Sequence, residues 1–299
     1  MTSEYVIEKD ADCKKLFEIV TQPRKIATVF RGVECSTYKL VPSAYRDAGM
    51  EQLRKITETF IDGYSSMIDI STGSHPHKIF YEIAPLIWFH EIANRNGLRV
   101  PEIPLTSIGN PFIEIDGLAK DESTHFEDWI EIAALAQHYG IPTRMLDWSY
   151  NMETAIYFAI RNIEDSEIER HPEHCFSIWE LAVPSVSMIC PKIGFTVPNY
   201  CDNPNIRAQQ GLFSFIKGDD PGKDLEDVVT ESIDGLSEGR RKLHFSNGIP
   251  ALRKINVRYS EIPQIRASLI TRGLTHDHYH PNLSDVVTSM KNDVNRHKS

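Results

Sequence analysis

The sequence predicts an α+β fold in a single domain, with a helical N-terminal half and a mixed β core. Apolar residues recur at helical spacing over 50–67 and 80–94, whereas β-forming residues concentrate in 176–183, 212–216 and 255–259. Loops rather than regular helices separate these later strands. The pattern therefore differs from the alternating strands and helices of a doubly wound parallel sheet.

The first half opens with a short strand and continues into two helices. Residues 26–30, Ile-Ala-Thr-Val-Phe, are predicted to form a strand that ends at Arg31. The helix over 50–67 follows from the spacing of its apolar residues. The helix over 80–94 contains Pro85, which we expect to interrupt it near its start.

Another short strand is predicted over 143–148, between two helices. Gly140 and Pro142 end the helix before this strand, and Asn151 is a good N-cap for the apolar helix after it. Near the C-terminus, the pattern predicts a further helix over 261–272.

Polar side chains are concentrated where these elements meet, within residues 133–159; they are Gln137, His138, Arg144, Asp147 and Ser149. An unpaired buried charge is costly, so charged residues on a short, buried strand need partners. We expect Arg144 and Asp147 to pair with each other and pin the strand, to serve a functional site, or to do both.

The composition is that of a globular protein and disfavours several classes. A net charge of −10 disfavours broad adhesion to nucleic acid or anionic membranes. The sequence has no apolar run near the roughly 20 residues that span a bilayer, and its first residues do not resemble a signal peptide. We therefore expect a cytoplasmic protein. Five cysteines without C-x-x-C spacing favour neither a disulfide framework nor a zinc knuckle.

Charge is unevenly distributed late in the chain. Residues 219–238 carry eight acids and one lysine, whereas residues 239–258 carry basic residues and no acid. Such a contrast is typical of two solvated surfaces, and a nucleic-acid-contacting strip is the alternative. The strip would consist of Arg240, Arg241, Lys242, Arg253, Lys254 and Arg258.

Three separated motifs occur in a fixed order: Phe30-Arg31-Gly32, then Gln137-His138-Tyr139-Gly140 leading to Leu146-Asp147-Trp148, and finally Arg207-x-x-Gln210-Gly211. Together they resemble the FRG domain, a family named for its Phe/Tyr-Arg-Gly motif. The stretch from Gly273 to His280-Pro281-Asn282-Leu283 is similar to the ending of that family. The resemblance covers about 25–290, which leaves an N-terminal lead, 1–24, and a C-terminal tail, 291–299.

The order of these motifs also resembles that of the ADP-ribosyltransferase superfamily, which implies a similar fold and NAD as the substrate. By that comparison Arg31 holds NAD, Asp147-Trp148-Ser149 occupies the second motif, and Gln210 lies where a catalytic Glu would be. The implied catalytic residues are Asp147, Gln210 and His138, and the implied NAD-binding residues are Arg31, Gly32, Arg144, Ser149 and Tyr157. The resemblance implies no metal cofactor.

Cleavage of the nicotinamide–ribose bond passes through an oxocarbenium-like state, as glycosidic cleavage does. Arg31 suits a pyrophosphate anchor, since a guanidinium binds phosphate in a bidentate manner, and Gly32 would let a ligand approach the backbone. Gln210 can bind a ribose hydroxyl but carries no negative charge. Either Asp147 supplies that charge, or an acid from the 224–231 loop does, or the fold is not catalytic.

Structural interpretations compete with these roles. His138 could act as a general base or as a hydrogen-bonded histidine that holds the following turn. Arg31 could be satisfied by carbonyl groups, and Tyr157 could belong to the core. The triplet His276-x-His278-x-His280 would align on one face of a strand, as metal ligands can, but it lacks supporting ligands, and we expect no metal there.

The resemblance therefore implies an NAD-dependent ADP-ribosyltransferase, a bacterial toxin or anti-phage effector that modifies nucleic acid or protein and has an antitoxin as a partner. The alternatives are a non-catalytic nucleotide- or RNA-binding module that uses the arginines, and an NAD glycohydrolase that transfers the ribosyl group to water.

Overall fold

The computed structural model describes residues 5–62, 78–104, 126–197, 211–218, 220–245 and 248–279. The strands in these ranges are β1 (Val6–Asp10), β2 (Thr28–Val33), β3 (Leu146–Ser149), β4 (Cys175–Ala182), β5 (Ile193–Thr196), β6 (Gly211–Ile216) and β7 (Leu252–Arg258). The helices are α1 (Cys13–Thr21), α2 (Asp47–Asp62), α3 (Lys78–Arg95), α4 (Ile130–His138), α5 (Met152–Ile160), α6 (Asp165–Arg170), α7 (Val183–Ile189), α8 (Leu225–Asp234), α9 (Glu238–His244), α10 (Ile262–Thr271) and α11 (His276–Tyr279).

The strands form one mixed sheet in the order β1-β7-β4-β2-β3-β6-β5. Strand β1 is parallel to β7, whereas the pairs β7–β4, β4–β2, β2–β3 and β6–β5 are antiparallel. The predicted α+β class with a mixed β core is therefore confirmed.

Contacts within the chain define two compact units. The first comprises residues 1–40, 147–217 and 223–299 and holds the sheet with its packed helices; the second comprises residues 41–146 and 218–222 and holds α2, α3 and α4. The limits 1–24, 25–290 and 291–299 stay a prediction. In the described part of the chain, no helix is both long and apolar enough to cross a bilayer.

Helices α1, α5 and α10 contribute to the core that covers one face of the sheet in the first unit. Leu16, Ile156 and Ile265 from these helices are fully buried, and they belong to the same core as Phe30 and Ile178 of the sheet. Each large apolar side chain buried in this way stabilises the fold by about 1.5–3 kcal/mol. The core therefore fixes which face of β2 and β4 packs against these helices.

Most predicted elements correspond to observed ones. The strands predicted over 176–183, 212–216 and 255–259 are β4, β6 and β7. The predicted N-cap is confirmed, because the Asn151 side chain accepts a hydrogen bond of 2.8 Å from the Glu153 backbone N–H at the start of α5.

The interruption expected at Pro85 was wrong, because α3 runs without a break past this residue. Ile83, Ala84, Leu86 and Ile87 on either side are each 1% exposed, so burial of this segment holds the helix together where proline removes one backbone hydrogen bond. Helix α2 matches the helix predicted over 50–67 up to Asp62, and the rest of that range lies outside the described residues.

We predict that Gly32→Ala lowers the free energy of unfolding by about 1–3 kcal/mol, the usual cost of overpacking. A Cβ at Gly32 would lie 2.0 Å from the Ala155 carbonyl oxygen and 2.8 Å from the Ala159 Cβ, both on α5. Gly239→Ala is the matched control, because a Cβ at Gly239 would meet no atom within 4 Å. Urea denaturation measures both variants, and equal stability of the two would contradict the close packing of α5 on β2.

Candidate functional site

Arg31 and Asp147 form an ion pair between neighbouring strands. Strand β2 pairs with β3 at Phe30 and Ser149, and this register brings the two charged residues close together. The Arg31 Nη1 donates to the Asp147 carbonyl oxygen at 2.8 Å and also to its carboxylate Oδ1. The Arg31 side chain is 14% exposed and that of Asp147 is 59% exposed, so the pair presents its carboxylate to solvent.

The Asp147 carboxylate is held in its charged form. Desolvation raises its pKa, but attraction to Arg31 and the hydrogen bond from it outweigh this effect, with a further contribution from Arg161. The pKa of Asp147 therefore lies below its ordinary value. This carboxylate is ionised at neutral pH, as the stabilisation of a developing positive charge requires.

A row of polar residues crosses the sheet on the face to which Arg31 belongs. Arg31 lies opposite Trp179 in register, Trp179 opposite Lys254, and Lys254 opposite Glu8, so the four share one face of β2, β4, β7 and β1. Lys254 Nζ lies 5.4 Å from the centre of the Trp179 ring and 3.2 Å from Glu8 Oε1. We call these four residues the polar row.

Two N–H donors of the polar row are buried without a hydrogen-bond partner among the described residues: the Nε of Arg31 and the Nε1 of Trp179. Buried donors are usually satisfied, so an unpaired one calls for an explanation such as a bound acceptor. The charges of this face are paired, Arg31 with Asp147 and Lys254 with Glu8, so a ligand would be recognised through the unpaired N–H donors rather than through a net positive charge. Sequence reasoning missed Trp179 and did not connect Lys254 with Arg31, because only the strand register sets Trp179 beside Arg31 and Lys254 beside Trp179.

An acid from helix α8 also interacts with the polar row. Desolvation and the neighbouring Asp224 raise the pKa of Glu226 above its ordinary value, and Lys254 acts in the opposite direction. Residues 224–231 start a helix rather than a loop, with Asp224 as its N-cap.

The expected Arg144–Asp147 pair is wrong, because each residue binds a different partner. In the second unit Arg144 binds Glu82 of α3 through two hydrogen bonds of 2.7 Å, from Nε to Oε2 and from Nη2 to Oε1. The Tyr45 hydroxyl donates to the same carboxylate, and the Arg144 guanidinium lies 4.5 Å from the centre of the Phe126 ring. The guanidinium of Arg144 is thus engaged by other side chains of the protein, which favours a structural role over NAD binding.

The Tyr45 hydroxyl stays neutral in this cluster because its surroundings are buried and carry the charge of Glu82. Arg144 is 6% exposed and Glu82 is 2% exposed. Desolvation and the charge of Glu82 raise the pKa of the Tyr45 hydroxyl, so Tyr45 stays protonated and can donate. The partner of Arg144 is 62 residues away along the chain, on a helix whose apolar pattern gives no sign of it.

His138 is the last residue of α4, where its ring lies edge-on to Tyr139 at 5.1 Å. In the turn that follows α4, the Thr143 hydroxyl donates a hydrogen bond to Gln137 Oε1. Gly140 in this turn has a positive φ of 89°. Ser43 also binds the Thr143 backbone, at 3.2 Å. The catalytic and structural interpretations of His138 both stay predictions.

Three further expected site residues lie around α5. The Ser149 hydroxyl accepts a hydrogen bond of 3.0 Å from the Asn151 backbone, and Tyr157 stacks on Tyr279 with ring centres 4.4 Å apart. The expectation that Gly32 lets a ligand approach needs correction, because α5 fills the space that its missing side chain leaves. Gln210 lies outside the described residues, and its role stays a prediction.

The basic strip is divided between two elements. Arg240, Arg241 and Lys242 lie on α9, where Lys242 pairs with Glu238. On β7, Arg253 lies 3.3 Å from Glu180 and Lys254 pairs with Glu8. Neighbouring residues of a strand project to opposite faces, so Arg253 and Lys254 do not share a surface. A nucleic-acid contact through the strip stays a prediction.

The histidine triplet near the C-terminus does not lie on a strand as expected. His276 and His278 lie in the short helix α11, and His280 lies outside the described residues. Alternate residues of a helix do not share a face, so the spacing cannot serve a metal as it would in a strand.

The FRG domain family model matches residues 113–168. This match confirms the FRG resemblance predicted from the sequence. The matched segment includes His138, Arg144, Asp147, Ser149 and Tyr157 but neither Arg31 nor Gln210. No curated protein and no solved structure matches the chain.

We predict that Glu82→Gln lowers the free energy of unfolding by about 3–5 kcal/mol, because it leaves the buried Arg144 charge without a counter-ion. Glu51→Gln is the matched control in the same unit: Glu51 pairs with Lys55 at 2.6 Å, but both side chains are mostly exposed. We expect no measurable change for the control. Denaturant unfolding compares the two, and equal effects would show that the Arg144 cluster does not stabilise the fold.

The Arg31–Asp147 pair should make stability depend on pH. Because the pKa of Asp147 is lower in the folded state, the pair stabilises the fold above the unfolded-state pKa of about 3.9 and ceases to do so as the pH falls through the folded-state value. The difference in urea midpoint between the parent and Asp147→Asn should therefore be larger at pH 6 than at pH 3. A difference that does not change with pH would contradict a depressed pKa.

Proposed function

We propose that this protein, which carries an FRG domain match at residues 113–168, is an ADP-ribosyltransferase-like enzyme that cleaves the nicotinamide–ribose bond of NAD. The observation that carries the proposal is the Arg31–Asp147 pair, a partly buried guanidinium joined to an exposed, ionised carboxylate on the next strand. A phosphate anchor and a negative charge are the two groups that this reaction needs most.

Arg31 would hold the pyrophosphate of NAD. Its Nε–H is buried and has no partner among the described residues, and the unpaired Trp179 N–H belongs to the neighbouring position on the same face. A phosphate oxygen would accept first from the Arg31 guanidinium, whose side chain is 14% exposed, whereas Trp179 is only 1% exposed and its N–H lies beneath the surface. Lys254, beside Trp179, would bind phosphate only in competition with Glu8.

Asp147 would stabilise the oxocarbenium ion. In the free protein its charge is balanced by Arg31. Once the guanidinium shares its donors with a pyrophosphate, the carboxylate is balanced less completely and can attract the positive charge that develops on the ribose. Glu226, which interacts with Lys254 of the polar row, would be the candidate base for the nucleophile that attacks the ribose.

The acceptor of ADP-ribose would be a macromolecule, nucleic acid or protein, as in a toxin or anti-phage effector that is held in check by an antitoxin. This part of the proposal depends on the motif resemblance alone. Arg240, Arg241 and Lys242 on α9 are the best basic surface for a nucleic-acid acceptor. If water took the place of the acceptor, the same site would make the protein an NAD glycohydrolase.

A non-catalytic nucleotide-binding module is the second candidate. It is favoured by the pairing of Asp147 with Arg31, since a carboxylate that stays neutralised by a guanidinium gives little transition-state stabilisation. In that case the polar row would still bind an anionic nucleotide, with the bound NAD left intact.

Purified protein incubated with NAD labelled in the adenylate part distinguishes these functions. Label on a macromolecule indicates transfer, release of nicotinamide without such label indicates hydrolysis, and binding without cleavage indicates a module. Transfer or hydrolysis supports the proposal that the nicotinamide–ribose bond is cleaved, whereas intact NAD overturns it.

We predict that Asp147→Asn lowers the rate of nicotinamide release by about 10²–10³-fold, the usual effect of removing one transition-state charge or donor. Asp165→Asn is the matched control, because Asp165 pairs with Arg266 at 2.6 Å in the same unit but lies away from the polar row, on α6. Circular dichroism confirms that both variants are folded. If folded Asp147→Asn protein released nicotinamide as fast as the parent, the Arg31–Asp147 pair would have a structural role only.

A further inference from the structure

The link between α6 and β4 brings two histidines and a glutamate together. It runs through the sequence His171-Pro172-Glu173-His174, just beyond the FRG match. One ligand atom from each of His171, Glu173 and His174 lies within 4.8 Å of the other two. This group of three is separate from the polar row and from the late histidine triplet.

Backbone hydrogen bonds fix this turn in place. The His174 N–H donates to the His171 carbonyl at 3.0 Å, which closes a β-turn with Pro172 in its second position, a favoured place for proline. The next element also holds the turn: the Tyr259 N–H donates to the His174 carbonyl at 2.7 Å, and the Ser260 N–H donates to the Pro172 carbonyl at 3.1 Å. The turn is therefore largely ordered before any ligand binds.

The ligand atoms of the three side chains lie close together. The two imidazole rings stack with their centres 4.5 Å apart and an angle of 7° between them. Glu173 Oε1 lies 3.8 Å from His171 Nδ1 and 3.8 Å from His174 Nε2. Ligand atoms of a tetrahedral zinc ion lie about 3.3 Å apart, given metal–ligand distances near 2.0–2.1 Å. A metal binds imidazole in the plane of the ring, so both rings would have to rotate out of their parallel stack to direct a nitrogen at the same ion.

We propose that His171, Glu173 and His174 bind a divalent transition-metal ion, zinc being the best fit. Two imidazole nitrogens and one carboxylate oxygen form the His₂Glu ligand set that zinc accepts, with a remaining position open to water. Hard ions such as magnesium and calcium prefer oxygen ligands alone. The three side chains are 45%, 68% and 49% exposed, so the ion can reach them directly from solvent.

A bound ion would join the end of α6 to the start of β4. His171 directly follows α6, and His174 directly precedes β4. Ions that bind the folded chain more tightly than the unfolded chain stabilise it. The ion should therefore raise the melting temperature, independently of any NAD chemistry.

Calorimetric titration of the chelator-treated full chain with zinc chloride tests the site. We expect saturable binding that His171→Ala/His174→Ala weakens at least tenfold and Glu173→Gln weakens by a smaller factor. His244→Ala, on helix α9, is the matched control and should leave the zinc affinity unchanged. Glu173→Gln also guards against loss of folding, because it preserves the size of an exposed side chain.

Cobalt supplies a second measurement at the same site. A four-coordinate cobalt ion with nitrogen and oxygen ligands absorbs visible light, and this band should be present in the parent and absent in the double histidine variant. No saturable zinc binding by the parent would overturn the proposal, and so would equal affinity in the parent and a folded double variant.

Discussion

Helix α5 lies so close to strand β2 that only glycine fits at position 32, where a Cβ would overlap the Ala155 carbonyl. Side chains alternate along a strand, so the face that carries Phe30 and Gly32 belongs to the core and Arg31 must take the other face. The register between β2 and β4 then sets Arg31 opposite Trp179. The helix on one face of the sheet thus determines which polar residues meet on the other.

Arg144 and Arg31 differ in how deeply their acidic partners are buried, and this difference bears on which of them can bind a ligand. Arg144 forms two hydrogen bonds with the carboxylate of the buried Glu82, and breaking such a buried pair lowers the stability of the fold. Arg31 meets an aspartate whose carboxylate is mostly exposed, and one of its own N–H groups has no partner among the described residues. An arginine that has an unpaired N–H group and an exposed, ionised partner can bind a ligand while the packing of the core stays unchanged.

Local patterns predicted the strands β4, β6 and β7, the Asn151 cap and the FRG resemblance within 113–168, because these depend on neighbours within a few residues. What the sequence could not predict depends on long-range pairing: Glu82 as the partner of Arg144, β1 as the partner of β7, and Trp179 beside Arg31. The proposed metal site is different, since its two histidines and glutamate lie within four consecutive residues that also include a proline.

An ion pair at a candidate active site opposes catalysis in one respect, since Arg31 neutralises the charge that Asp147 would supply. The same pair, however, keeps the carboxylate ionised and in place without water-mediated reorganisation. A pyrophosphate competes for the guanidinium through stronger, doubly charged contacts. The substrate itself would then release the catalytic charge, so that Asp147 acts only when NAD is bound and the free site stays inert.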